Sequence, residues 1–284
     1  MKKVLIKVPG TSANLGVGFD ALGLALDLYN EYLFEESDEY ELVNFLDDYK
    51  EDNLVLASYK RVFEVLGDEE IKVRITEVKE DIPVSRGLGS SAACIVAGVV
   101  GANNMLGNIL DINALIDIAT SIEGHPDNVL PCFLGGLTSG FISGGEVYYT
   151  NYDISKDLFF TILVPNFPLE TIVARNALPE KIDFKDAMDN LAKAVNLPIM
   201  IASGDFYGIK KATRGAIHEK YRYPLITGAE KILYEVTDEN HVVLISGAGP
   251  SLLVISDIDD DVKISNENFK VIKVKANKKG VEIK

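Results

Sequence analysis

Pro83-Val84-Ser85-Arg86-Gly87-Leu88-Gly89-Ser90-Ser91-Ala92-Ala93 separates an alternating stretch, residues 71–78, from a run of small apolar residues that continues to Met105. Gly87 and Gly89 permit backbone conformations and close approaches that a side chain would block. Ser90 and Ser91 are suited to cap the following helix, and their hydroxyls can face a phosphate or a metal ion. The unpaired N–H groups and the dipole at such a helix start attract anions. Ala92, Ala93, Ala97 and Gly98 keep that helix slim. No Gly-Lys-Ser/Thr follows, so the loop is not a Walker A motif, and GxGxxG is absent, so it is not a Rossmann fingerprint. Taken alone, the loop fits an anion cradle or a tight turn capping a structural helix.

Composition narrows the choice. The chain has 284 residues, 47% hydrophobic and 25% charged, a length that favours two packed lobes. Lys and Arg number 28 against 43 Asp and Glu, a net charge of −15. Such a chain repels nucleic acid and anionic lipid at long range, so neither is expected as a partner. An anionic ligand must be held by local groups instead. Cys94 and Cys132 lie in apolar stretches without CxxC or Cys/His spacing, which predicts free thiols. Residues 1–8 alternate basic and apolar, unlike a signal peptide, and no run approaches the ~20 apolar residues of a membrane span. A reducing cytoplasm is the expected setting.

Outward from the loop, alternation predicts strands over residues 4–8, 29–34, 40–46 and 71–78. Helical spacing of Leu54, Val55, Ala57, Tyr59, Val62, Phe63 and Leu66 predicts a helix from Asn53, with Asp52-Asn53 in capping position. Helices follow at 91–105 and 113–122, then a Gly-rich strand at 132–141 and another at 146–149. The chain turns polar over 151–157, which puts a boundary near residue 155 and divides it into lobes 1–155 and 156–284. The second half reads as strand 159–164, helices 184–197, 199–211 and 225–235, strands 241–245 and 252–255, and a C-terminal hairpin over 271–283. Strands and helices mix without strict alternation, so the fold class is α+β.

Three further segments complete a pattern. Residues 7–26 (KVPGTSANLGVGFDALGLAL), residues 83–93, and Ser246-Gly247-Ala248-Gly249-Pro250-Ser251 resemble, in order, the three motifs of the GHMP small-molecule kinases. Residues 123–136 (EGHPDNVLPCFLGG) are similar to a segment of the homoserine kinase branch. The resemblance spans nearly the whole chain. It implies a two-lobed fold, the N-terminal lobe like ribosomal protein S5 domain 2 and the C-terminal lobe ferredoxin-like. It also implies ATP as donor, magnesium as its counter-ion, L-homoserine as acceptor and association into a homodimer.

The resemblance carries over residue by residue. Pro83 to Ala93, meaning Pro83, Val84, Ser85, Arg86, Gly87, Leu88, Gly89, Ser90, Ser91, Ala92 and Ala93, would bind ATP together with Gly247 and Gly249. Asn53 would lie near the adenine, and capping the helix is its plainer role. Ser91 and Glu123 would hold magnesium, an ion that prefers hard oxygen ligands. Glu123 stands at a helix end where a negative charge is unfavourable against the dipole, which hints at a compensating cation.

Homoserine carries an ammonium, a carboxylate and a hydroxyl, so its site needs an acid and one or two cations. Asn14 and Asp20 match substrate positions, and Asp20 would meet the ammonium; a turn residue is the alternative for Asp20. Arg175 and Arg222 match the carboxylate clamp, where a planar guanidinium makes bidentate contacts. Thr171 would lie near Arg175, and His125 near the substrate, unless His125 is simply a hydrogen-bonded loop residue. Asp127 matches the base of mevalonate-kinase-like relatives, but Thr11 replaces the Lys that partners it there. A Pro-Asp-Asn turn, with Asp127 as a cap, is its other reading. Gly215 stands where many homoserine kinases have Asp. Another GHMP kinase, or a catalytically silent sensor, is the competing function; intact glycine motifs and the Ser pair argue against the sensor.

Overall fold

The computed structural model describes residues 2–46 and 52–284; Met1, the first residue of the N-terminal basic and apolar run, lies outside them. Strand β2 (Leu22–Glu36) is the spine of the first sheet. It pairs antiparallel with β1 (Lys3–Ala13) along its length, with β4 (Val73–Glu80) at one end and with β5 (Leu137–Ser143) at the other. β3 (Glu41–Val43) adds parallel to β4, and β6 (Glu146–Tyr152) adds to β5. The strand expected to stop at Pro9-Gly10 instead continues to Ala13. A register shift at Pro9/Gly10 absorbs the proline, which has no N–H to donate.

Helices α1 (Leu54–Leu66), α2 (Ser90–Met105), α3 (Ile112–Glu123) and α4 (Pro126–Leu134) pack with this sheet around one core. α2 is buried on nearly every side, which is why its sequence shows no polar face. Its small residues set the spacing: a Cβ at Gly98 would lie 2.9 Å from both Ser58 Cβ and Tyr59 N of α1. The Gly-rich strand expected over 132–141 is corrected at its start. Cys132 to Leu134 close α4, and the strand begins only at Leu137.

The second sheet is antiparallel in the order β10 (Phe269–Val274), β7 (Phe159–Pro165), β9 (Leu252–Ser256), β8 (His241–Ile245). Val243, Ile245, Leu252 and Val254 face a small core with α9 (Ala229–Val236); Val242, Leu244, Leu253 and Ile255 join the main core. Burial on both faces explains the unbroken apolar runs of β8 and β9. α5 (Thr171–Asn176), α6 (Phe184–Ser203), α7 (Phe206–Ala212) and α8 (Glu219–Arg222) complete the fold.

Two expectations for this half are corrected. α6 runs straight through Pro198 and ends at Gly204, in the left-handed region, so the helix break lies six residues later than the proline. The C-terminal stretch is no hairpin: β10 joins the second sheet, whereas β11 (Glu282–Ile283) returns to pair with β1. The architecture is α+β and two-lobed, each lobe built on its own sheet.

The contact at Gly98 is directly testable. Gly98→Ala forces a methyl group against α1 and is expected to destabilise the chain by about 1–3 kcal/mol in a urea-unfolding experiment.

Candidate active site

The loop of residues 83–89 closes against both lobes through its carbonyls. Val84 O accepts from Arg86 Nη1 (3.2 Å), Ser85 O from Leu169 N (3.2 Å) and Arg86 O from Ser251 N (3.3 Å). Gly87 O accepts from Ser246 Oγ (2.7 Å), Leu88 O from Thr11 N (3.0 Å) and Gly89 O from Ala93 N (2.9 Å). No backbone N–H from Val84 to Ala92 has an acceptor among the described residues. A trans peptide points its N–H opposite to its C=O, so each pinned carbonyl turns the following N–H away from the group that pins it. Ser85, Gly87 and Gly89 all have positive φ (55°, 69° and 70°), the alternation that builds an anion-binding nest.

These groups border a cavity of about 290 Å³ that runs from Phe45, Leu54 and Val55 to Arg175 and Arg222. The cavity brings together all three glycine motifs, the start of α2, the end of α3 and the start of α4. Asn53 caps α1, its side chain accepting from Leu56 N at 3.0 Å, and lines the apolar end. Ser91 Oγ donates to Glu123 Oε2 at 2.7 Å, so the two expected metal-binding groups are adjacent. Burial holds the Glu123 carboxyl above its usual range, against the opposing Ser91 hydrogen bond. Two hard oxygens at the edge of an unpaired N–H nest, one on a carboxylate that burial disfavours, suit a magnesium ion.

At the other end, groups distant in sequence converge. Ligand atoms of Asp20, His125 and Asp127 lie within 4.8 Å of one another. Asp127, 1% exposed in the first turn of α4, meets His125 Nδ1 at 2.5 Å. Burial lowers the His125 pKa, but the bond to Asp127 and the charges of Asp127, Glu123 and Asp20 outweigh it, and the net shift is upward. Arg175 grips Asp20 with two bonds, at 3.0 and 2.9 Å. Thr171 stands one turn before Arg175 on α5 and lines the same space.

Arg222 is 1% exposed and donates to Gly247 O (3.0 Å) and Ala174 O (3.3 Å). Burial, and then the like charge of Arg175, bring its pKa down to about 10. Both guanidiniums lie over the Phe19 ring, 5.5 Å for Arg175 and 5.2 Å for Arg222. Asn14 Nδ2 donates to Gly247 O at 2.8 Å, and its Oδ1 accepts from Asp20 N at 2.9 Å. Its amide therefore holds the loops that carry other site residues.

Arg86 lines the cavity and also anchors the loop. Its guanidinium is tied to Val84 O, Pro165 O and Asn166 O, so it fastens the loop to the end of β7. Leu88, 1% exposed, is core, and Gly249 stands behind the cavity lining. Gly215 has no room for a side chain: a Cβ there would press on Gly16 O and lie 3.0 Å from Asn190 Oδ1. Sequence reading missed Asn30, Tyr32, Glu77, Cys94 and Asn128, all of which line the cavity. Asn128 follows Asp127 directly and accepts from Thr11 Oγ1 at 2.7 Å; its adjacency to the His-Pro-Asp segment was the available signal. Burial, and then Glu80, push Glu77 up to about 7, although nothing in its strand pattern marks it.

A two-lobed α+β fold with a nest closed by three glycine motifs defines the class of GHMP small-molecule kinases, and residues 53–136 match the GHMP kinases N terminal domain. The homoserine kinase of Clostridium botulinum (strain 657 / Type Ba4) is 40% identical over 270 residues, 94% of this chain and 90% of the relative. That of Caldicellulosiruptor bescii is 37% identical over 273 residues, 94% and 88% of the two chains. The crystal structure of homoserine kinase from Cytophaga hutchinsonii superposes with a TM-score of 0.84 at 28% identity, covering 100% of this chain and 98% of that one. This chain belongs to the homoserine kinase family.

The His125–Asp127 contact predicts a titration. His125 should lose its proton above the ordinary imidazole value of about 6.5, and in Asp127→Asn burial should pull that value down instead. Following the His125 ring signals by NMR against pH checks both the upward shift and its reversal.

Proposed function

We propose that this chain transfers the γ-phosphoryl group of ATP to the hydroxyl of L-homoserine, forming O-phospho-L-homoserine for threonine biosynthesis. The observation that carries the reading is the row of unpaired N–H groups from Val84 to Ala92, opening into a cavity whose far end holds Asp20, Arg175 and Arg222. In a chain of net charge −15, that nest gives a triphosphate a local reason to bind.

In this reading the adenine lies toward Asn53, and the phosphates rest on residues 84–91 with Gly247 closing over them. Ser91 and Glu123 hold magnesium, which neutralises triphosphate charge when bound. The zwitterionic acceptor exchanges with the Asp20–Arg175 ion pair: its ammonium takes Asp20, and its carboxylate takes Arg175 with Arg222. Such an exchange replaces charge with charge, so neither group is left unpaired. Thr171 and His125 border the same space. Asn14, bonded to Gly247 and Asp20, holds donor and acceptor loops in one register.

Phosphoryl transfer needs in-line placement and charge neutralisation more than covalent chemistry. Asp127 is held by His125 and has no lysine partner, so it assists, and positioning dominates. Asp127→Asn abolishing turnover while both ligands still bind would show that Asp127 does more than assist. The lobes divide near residue 155, with the acceptor between them. The free thiols Cys94 and Cys132 support a cytoplasmic setting, and among the described residues no helix is long and apolar enough to cross a membrane.

A coupled ADP-release assay should respond to homoserine but not to mevalonate or galactose, and EDTA should abolish the response. Mevalonate lacks the ammonium that Asp20 awaits. Activity on mevalonate or galactose equal to that on homoserine would overturn the acceptor assignment. Arg175→Lys should raise KM for homoserine roughly 10–100-fold, the loss of a bidentate contact, with a smaller effect on KM for ATP. Glu123→Gln should lower kcat at least about 100-fold, with partial recovery at high magnesium.

A further inference from the structure

A half-buried carboxylate stands among the apolar walls at the Phe45 end of the cavity. Val73, Ile75 and Glu77 alternate onto one face of β4; the first two are core, and the third lines the cavity. The strand register shows how the row ends there. Tyr32 pairs with Glu77 and Glu31 with Lys79, so Val78 is an extra residue on β4. A bulge of this kind re-aims the side chains beside it. Glu77 lies directly across from Tyr32, whose ring stacks on Phe45 at 6.0 Å with 9° between the planes.

Among the described residues no cation neutralises this carboxylate. The two cations of its own strand are engaged elsewhere, Arg74 with Glu41 at 2.9 Å and Lys79 with Asp81. Burial, and then the like charge of Glu80, raise its pKa against the Tyr32 hydroxyl. The other polar groups at this end are committed or lie in water. Asn30 Oδ1 accepts from Asp81 N (3.0 Å) and Ile82 N (2.9 Å), and its Nδ2 donates to the Tyr32 hydroxyl (3.0 Å). Asn53 caps α1, and Asp52 and Glu80 are exposed. Glu77 is therefore an acceptor in need of a donor, and a half-buried carboxylate left in that state is costly.

We propose that Glu77 is a specificity-determining residue for the phosphoryl donor, its carboxyl accepting a hydrogen bond from the exocyclic 6-amino group of the purine. This role rests on the proposed kinase function, with the base toward Asn53, and adds the group that distinguishes one base from another. Protonated or ionised, a carboxyl keeps an oxygen that accepts from an amine. A purine without that amine leaves the acceptor unpaired in a partly dry site, which is how a polar pocket rejects an analogue lacking the donor.

Charge supports the same placement. Asp52, Glu77 and Glu80 all line this end of the cavity, so it repels a triphosphate and leaves the phosphates to the nest at residues 84–91. The neutral base can enter where the phosphates cannot, its flat faces against Phe45, Leu54 and Val55 and its amine toward Glu77.

Isothermal titration calorimetry of the full chain, with magnesium and no acceptor, compares ATP with purine riboside triphosphate, which differs only in lacking the 6-amino group. The native chain should bind ATP at least about 10-fold more tightly. In Glu77→Met, similar in size but without a carboxyl oxygen, the ratio should fall to within about 2-fold through loss of ATP affinity alone. Glu77→Gln keeps an acceptor oxygen and should retain a clear preference for ATP. The ratio of ATP to 2′-deoxy-ATP should be the same in all three chains; a change there in Glu77→Met would put the carboxyl on the ribose and overturn the role. Equal native binding of ATP and its deaminated analogue would overturn it without any variant, as would a native ratio in Glu77→Met. ATP binding without that preference removes only the role of Glu77, whereas a chain that binds no nucleotide loses the kinase function as well.

Discussion

Six successive carbonyls, from Val84 to Gly89, are each held by a donor, and the rest of the site depends on that constraint. The donors come from three other parts of the chain as well as from the loop and the helix it starts. Thr11 belongs to the first motif, Ser246 and Ser251 to the third, and Leu169 to the approach to α5. Because the peptide is planar and trans, fixing the oxygens fixes the directions of the N–H groups too. The loop is thereby preorganised as a row of partial positive charge before any ligand arrives, and an acidic chain obtains an anion site without a cluster of basic residues.

The same ties couple the two ends of the cavity. Gly247 O accepts from both Asn14 and Arg222, so the turn beside the 83–89 loop also fixes two residues at the far end of the cavity. Ser246 Oγ links Gly87 O to Ser12 Oγ, joining all three glycine motifs through one hydroxyl. Side chains replace backbone at the far end of the cavity, where the proposed acceptor would be recognised by charge. Asp20 and Arg175 satisfy one another in the free protein, and Phe19 lies under both guanidiniums, which keeps two like charges near each other in a half-buried space.

Much of this was legible in the residues and some was not, for physical reasons. The loop at 83–93 was readable because its chemistry is local: the glycines do take positive φ, although Gly89, and neither serine, is the cap of α2, with Ser90 and Ser91 in its first turn. The convergence of Asp20, His125, Asp127, Arg175 and Arg222 was reached only through likeness to a family, since no local pattern joins positions so far apart. Arg86 and Asn14 line the cavity and also bind backbone groups of other segments, a second, bracing role that no local pattern announces. In the fold, Pro198 and the Pro126 to Leu134 segment misled for one reason. Tertiary packing carries α6 through a buried proline and gives α4 a helical form despite Pro131. Alternation found strands near the C-terminus but cannot say which sheet a strand joins, so β10 and β11 were expected to pair with one another.

The central claim is that the amides of the Val84 to Ala92 loop receive the triphosphate. Backbone amide NMR of the labelled chain, titrated with magnesium and a non-hydrolysable ATP analogue, reads those groups one by one. The signals of Gly87, Gly89, Ser90 and Ser91 should move most, and saturably. Saturation with those four unmoved, while amides elsewhere shift, would contradict the account.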